Sequence, residues 1–275
     1  MYARENAYAI IFRESETDPN KTEAVRIALL GLSCQQVIDI ELNDADAALV
    51  IEANISDQPG PYTVTLTKSV SFSDANVFPG VSGAFVTLAD DNGNMDTLIE
   101  TAAGVYVSNS FQGVAGRNYT VRVVADGITY TAHSFMSPLV TLDSLVLESS
   151  GGFGGSQYYI IPQWQDPVGT GNHYRCIEYV NGERAGAYLY DDAFSDGLVN
   201  GQPLLNFETE LEAGDTVRVE MQCIDPAVYL YFYSMEQTAN NATAAPANPE
   251  SNFDNDALGY FNAHTVSVRT VVIPQ

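Results

Sequence analysis

The fold class predicted by the sequence is all-β, in two β-sandwich-type domains, the second carrying one short helix. Three observations predict it. Apolar residues alternate with polar ones at period two from Leu49 onward, turn-forming residues separate the alternating runs, and one segment combines a helix cap with a helical apolar stripe. The chain, at 275 residues with 16 Tyr and 12 Phe, is long enough for two cores and has the bulk to fill them.

The elements follow in order. Leu49, Ile51, Ala53 and Ile55 alternate with Val50, Glu52 and Asn54, and Tyr62, Val64 and Leu66 alternate with Thr63, Thr65 and Thr67, as half-buried strands do. Between them Ser56-Asp57-Gln58-Pro59-Gly60-Pro61 is a turn. Ala84 to Leu88 and Met95 to Glu100 flank an Asn92-Gly93 hairpin signal, and Tyr119 to Val124 and Ile128 to His133 flank Asp126-Gly127. Pro138 and the glycine-rich stretch 151–155 place the domain boundary: 48–137 is the first sandwich and 138–275 the second. That glycine-rich stretch is too yielding to serve as a rigid core element. Strands are expected at Tyr158–Gln165, Tyr174–Val180, Ala187–Tyr190 and Thr216–Ile224. The helix is expected near 225–237, where Asp225 caps, Pro226 starts the first turn, and Val228, Tyr231, Phe232 and Met235 share a face. A long loop from Thr238 to Phe253 leads to closing strands at Leu258–Phe261 and Val266–Val272, both integral to the second domain.

Charge excludes some partners. Lys and Arg total 11 against 35 Asp and Glu, a net charge of −24, and the basic residues are scattered singly. Nucleic acid needs clustered cations to displace its counterions, so it is not an expected partner. An anionic membrane surface would repel the chain, which leaves a covalent lipid as the means of attachment.

The residues before Cys34 suggest such a lipid. Ile27-Ala28-Leu29-Leu30-Gly31-Leu32-Ser33 is a short apolar run ending on a small residue beside the cysteine, which looks like a lipobox with Gly31 where Leu is usual. Residues 1–33 are then an export leader, or the product of a start site placed too far upstream, since Met1 to Arg26 mixes five acids with four bases. Cys34 is the expected lipid-attachment residue, followed by an acidic tether over 34–47. A buried Cys ending a small helix is the alternative. Cys176 and Cys223 both lie in strand-like runs and are either a disulfide across neighbouring strands or two buried thiols.

No linear motif for catalysis stands out. Gly80-Val81-Ser82-Gly83-Ala84 fails the hydrolase elbow at its fifth position, and the Gly-x-Gly pairs lack a third Gly and a following Lys. His133, His173 and His264 are isolated, with no spacing for zinc, and are expected to be structural. Asp191, Asp192 and Asp196, near Tyr188, Tyr190 and Trp164, form the best candidate surface for a ligand or a hard cation such as calcium, although packing is the more usual use of such aromatics. No resident metal and no cofactor are expected.

Several segments taken together carry a resemblance. Cys34, Val37-Ile38-Asp39-Ile40, Leu49 to Asp57, Pro61 to Leu66, Val81-Ser82-Gly83-Ala84, Ala245-Pro246-Ala247-Asn248-Pro249 and Ala257-Leu258-Gly259-Tyr260-Phe261 resemble a family of Bacteroidota outer-membrane lipoproteins described only as a domain of unknown function (domain of unknown function 4249). Val81 to Phe135, with Gly104-Val105-Tyr106 and Gly116-Arg117-Asn118-Tyr119-Thr120-Val121, resembles the transthyretin-like or carboxypeptidase-regulatory type of immunoglobulin-like module. The first resemblance implies an outer-membrane protein anchored by lipid and facing the cell surface or the periplasm. It also implies service beside a TonB-dependent nutrient transporter as a non-catalytic binding or docking subunit. A hydrolase of glycans or peptides using acids of the second domain, and a structural or adhesive surface module, are the alternative expectations.

Overall fold

The computed structural model describes residues 47–71, 77–152, 155–206, 209–239 and 248–274. Cys34, the leader 1–33 and nearly all of the 34–47 tether lie outside them. In chain order the strands of the first half are β1 (Leu49–Ser56), β2 (Thr63–Lys68), β3 (Phe85–Asp90), β4 (Met95–Thr97), β5 (Ile99–Ala102), β6 (Val105–Val107), β7 (Asn118–Ala125) and β8 (Ile128–Phe135). The second half has β9 (Ser144–Gly152), β10 (Gly155–Gln163), β11 (His173–Val180), β12 (Glu183–Asp191), β13 (Thr216–Ile224), the helix α1 (Pro226–Ala239) and β14 (Leu258–Val272). The described residues are thus mostly β with one helix, as the alternation predicts.

An eight-stranded sheet in the order β12-β11-β13-β14-β1-β2-β6-β5 runs through both halves; a four-stranded sheet β4-β3-β7-β8 and the hairpin β9-β10 complete the described strands. Alternation sets the burial. Ile51, Ala53, Ile55, Val64 and Leu66 turn one face of the large sheet onto Val86, Leu88, Val121, Val123 and Ala132 of the four-stranded sheet, and these bury together as a first core. A second core gathers Leu142, Ile160, Trp164, Tyr174, Cys176, Val217, Val219 and Met221.

The cores change over between Met136 and Leu142, where the sequence puts its boundary, yet the backbone does not divide there. The expected pair of closing strands is one strand of 15 residues, β14. Its first half lies parallel to β1, from Leu258 opposite Val50 to His264 opposite Ser56, and its second half lies antiparallel to β13, from Thr265 to Val272. The C-terminal strand therefore serves both cores, because it is long enough to pair twice, rather than the second alone.

One further expectation needs correction. The run from Met95 to Glu100 is not one strand: it breaks at Leu98, which is buried, with β4 in the small sheet and β5 at the edge of the large one. The β9-β10 hairpin reaches into the glycine-rich stretch, where Gly155 pairs with Gly152. The Asp126-Gly127 hairpin forms as predicted, with both residues at positive φ (52° and 79°), the primed turn whose twist suits the flanking strands. Asp225 caps α1 by accepting the Ala227 amide at 2.9 Å on Oδ1, and its Oδ2 accepts the Phe135 amide at 3.0 Å, tying the helix start to β8. Val228, Tyr231 and Phe232 pack on Ile224 against the large sheet, whereas Met235 is exposed.

Candidate functional site

The two faces of the large sheet differ in chemistry. Residues 217, 219, 221 and 223 of β13 enter the second core, so Arg218, Glu220 and Gln222 point the other way, and the same alternation sends out Arg175, Ile177 and Tyr179 from β11. Asn54 and Ser56 of β1 and Tyr260, His264, Val266 and Val268 of β14 continue this outer face. Helix α1 covers one part of it. Beside the helix, two hollows of about 370 and 430 Å³ meet over shared walls of Ser56, Glu220 and His264. The first is lined also by Arg175, Tyr179, Arg184, Gln222 and Tyr260, and the second by Arg218.

Two polar groups in these walls are poorly matched among the described residues. His264 is 5 % exposed; its imidazole reaches the Asn262 backbone carbonyl, but its Nδ1 makes no well-aligned hydrogen bond there, and Gln222, also 5 % exposed, donates from Nε2 to Glu220 at 3.0 Å while its Oε1 accepts nothing from the described residues. Burial pushes the His264 imidazole down to about 4, so it is neutral at physiological pH. Arg218 pairs with Glu220 at 2.8 Å and lies over the Tyr179 ring. Arg175 stacks its guanidinium 3.9 Å from the centre of the Phe232 ring, and burial lowers its pKa while leaving it charged. Among the described residues, neither Arg175 nor Arg184 has a carboxylate within ion-pair reach. A buried donor or acceptor without a partner is costly, and these residues line hollows that water or another group outside the chain can enter.

The acids singled out in the sequence are arranged differently. Asp192 and Asp196 come together with Asp166, which the sequence did not flag, and their carboxylate oxygens lie within 4.8 Å of one another. These are the side chains that could share a cation, but their oxygens already organise two loops. Asp192 accepts the amides of Gly171 and Asn172 at 2.9 Å, Asp196 accepts Gly169 at 2.7 Å, and Asp166 accepts Gly197 at 3.0 Å and the Tyr174 hydroxyl. Burial would raise the Asp192 pKa; the amides of Asn172 and Gly171 outweigh it and hold the carboxyl below its usual range. Asp191 separates from this group, accepting the Tyr229 hydroxyl of α1 at 2.9 Å.

The aromatic residues likewise divide. Trp164, at 2 % exposure, packs at 5.0 Å on Tyr174 and edge-on at 5.4 Å to Tyr190, so it belongs to the second core and not to a surface. Tyr188 donates to the buried Glu178 at 3.2 Å, and with Tyr190, Pro203 and Glu236 it borders a shallow cleft of about 580 Å³. Cys176 and Cys223 are free, buried thiols. They sit diagonally on neighbouring strands, with Cys176 opposite Met221 and Cys223 opposite Tyr174, so the disulfide alternative is not realised.

The outer-face groups carry no linear signal, since they come from five strands and only period-two parity unites them. His264 was the one available clue: a histidine inside a strand, on the polar side of its alternation. A family model described as Domain of unknown function (DUF4249) matches residues 35–270. A comparison with curated proteins finds no match.

Proposed function

The chain belongs to the DUF4249 family, and from that premise we propose that it is a non-catalytic ligand-binding lipoprotein of the Bacteroidota outer membrane. It is tethered through a lipid on Cys34 and serves as an accessory binding or docking subunit of a TonB-dependent nutrient transporter. The observation that carries the binding role is the outer-face cleft, whose buried Gln222 Oε1 and His264 Nδ1 have no well-formed hydrogen bond among the described residues. The lipid anchor rests on the residues around Cys34, and no helix among the described residues is long and apolar enough to cross a membrane. An immunoglobulin-like first half fits a docking module, since such folds present loops and edges on a rigid sandwich. The hydrolase alternative rests on Asp191 and Asp192, whose carboxylates are occupied by Tyr229 and by loop amides.

The test is purification of the native protein from membranes in mild detergent. The expected result is diacylglycerol on Cys34 by mass spectrometry and a co-purifying barrel transporter. A protein with an unmodified Cys34 and no barrel partner would refute the reading.

A further inference from the structure

The cleft's chemistry specifies its ligand more narrowly, given the reading of the outer face as a binding site. The described part of this acidic chain has seven basic side chains: Lys68, Arg117, Arg122, Arg175, Arg184, Arg218 and Arg269. Three of them, Arg175, Arg184 and Arg218, converge on the one face. Lys68 and Arg117 are paired with Asp126 and Asp90, Arg122 donates to Thr129, and Arg269 donates to the Asp143 carbonyl. Arg218 is matched by Glu220, which leaves Arg175 and Arg184 without a direct ion pair among the described residues, with Glu220 and Glu236 acting on Arg175 only through space.

The Arg175 guanidinium carbon lies 3.9 Å from the centre of the Phe232 ring, and the planar fork of a guanidinium matches a carboxylate. Nδ1 of the neutral His264 supplies a further donor when it carries the imidazole proton. The same wall holds an acceptor in want of a donor, Gln222 Oε1, which a bare carboxylate could not satisfy. Both carboxylate oxygens of Glu220 already accept, from Arg218 and Gln222, so Glu220 offers no free edge to an ammonium group. The complement to free cations beside a free neutral acceptor is a carboxylate on a hydroxylated body. Tyr179 and Tyr260 add aromatic carbon to the lining, where a sugar ring would meet what Arg218 leaves open of Tyr179 and what Tyr231 and Phe232 leave open of Tyr260.

We propose that the cleft between Arg175, Arg184, Gln222 and His264 binds an acidic saccharide of the uronate class, its carboxylate on the two arginines and a ring hydroxyl on Gln222. The experiment is calorimetric titration of the full chain with a galacturonate trisaccharide, the matching neutral galactose trisaccharide, a dipeptide, acetate and inorganic phosphate. Uronate is expected to bind, with the neutral sugar weaker by at least about tenfold, the worth of one charge-assisted contact. Arg175→Gln should weaken uronate binding by at least about tenfold. Arg184→Ala, at an exposed position where folding is not at risk, should weaken it by at least about threefold and leave the melting temperature unchanged.

No uronate binding, equal binding of the neutral sugar, tighter binding of the dipeptide or phosphate, or uronate affinity untouched by Arg184→Ala would each overturn the inference. The two readings fail separately. A chain that co-purifies with a barrel yet ignores the saccharides refutes the ligand assignment alone, and one that binds uronate with no lipid and no barrel refutes the transporter role alone.

Discussion

Gly259 is the residue on which the union of the two cores can be tested. It sits in β14 opposite Ile51 of β1, with φ at +95°, and a Cβ built on it would stand 2.0 Å from the Ile51 carbonyl oxygen and 2.7 Å from its carbon. Real Cβ contacts stay beyond about 3.0 Å, so in Gly259→Ala the strand must retreat by on the order of 1 Å. Two costs follow. The left-handed backbone costs about 1–2 kcal/mol for an L-residue, and displacing the parallel ladder weakens two or so buried hydrogen bonds at about 1 kcal/mol each. The sum is about 3–4 kcal/mol, or a fall in melting temperature of roughly 6–16 °C for a chain of this size. Gly83→Ala is the control: its φ is +77° but nothing lies within 4 Å of the added carbon, so only the backbone cost of about 1–2 kcal/mol applies. Urea unfolding followed by circular dichroism and by the fluorescence of Trp164 measures both. A loss under about 1 kcal/mol for Gly259→Ala, or an equal loss for the two variants, would refute the close approach of β14 to β1.

Three further outcomes are expected. His264 is held neutral, its pKa lowered from 6.5 to about 4 by burial, so below pH 6.5 the unfolded chain takes up a proton that the native one refuses. Its contribution to stability is complete above pH 6.5 and is lost as pH falls toward 4, by up to about 3 kcal/mol relative to His264→Gln; a native NMR titration midpoint near 6.5 would refute it. Asp192→Ala removes the acceptor for the Gly171 and Asn172 amides and should cost about 1–3 kcal/mol, checked by the same unfolding assay, with a neutral outcome excluding the latch. Cys176 and Cys223 should resist a thiol reagent in the native protein and both react in denaturant, because burial raises the pKa of each and shields it; an intact mass two protons short would contradict free thiols.

The strands were legible because Leu49 to Leu66 and Tyr119 to His133 bury one face each, and alternation is the direct record of that. The helix was legible from Asp225 and Pro226, whose local chemistry does not depend on tertiary context. What pairs with what was not. Nothing local in Leu258–Val272 announces that its first half lies beside β1 and its second beside β13. The acidic site was half legible: Asp192 and Asp196 are neighbours in sequence, but Asp166 reaches them from a separate loop, and adjacency wrongly enrolled Asp191, which the strand end turns toward α1. Trp164 misled for a related reason, since aromatic residues read alike whether they line a core or a surface.

The double pairing of β14 also dictates an order of events. Val50 emerges early in synthesis and finds its parallel partner only when Leu258 has been made. Until then the large sheet lacks its central strand, and β1 and β13 each present an open edge able to pair with other chains. Long-range closure of this kind is slow, because the whole intervening loop must be gathered before any contact rewards it. A large sheet that stays open until β14 is made leaves two strand edges exposed for most of the chain's synthesis, and that interval is when association with other chains is most favoured.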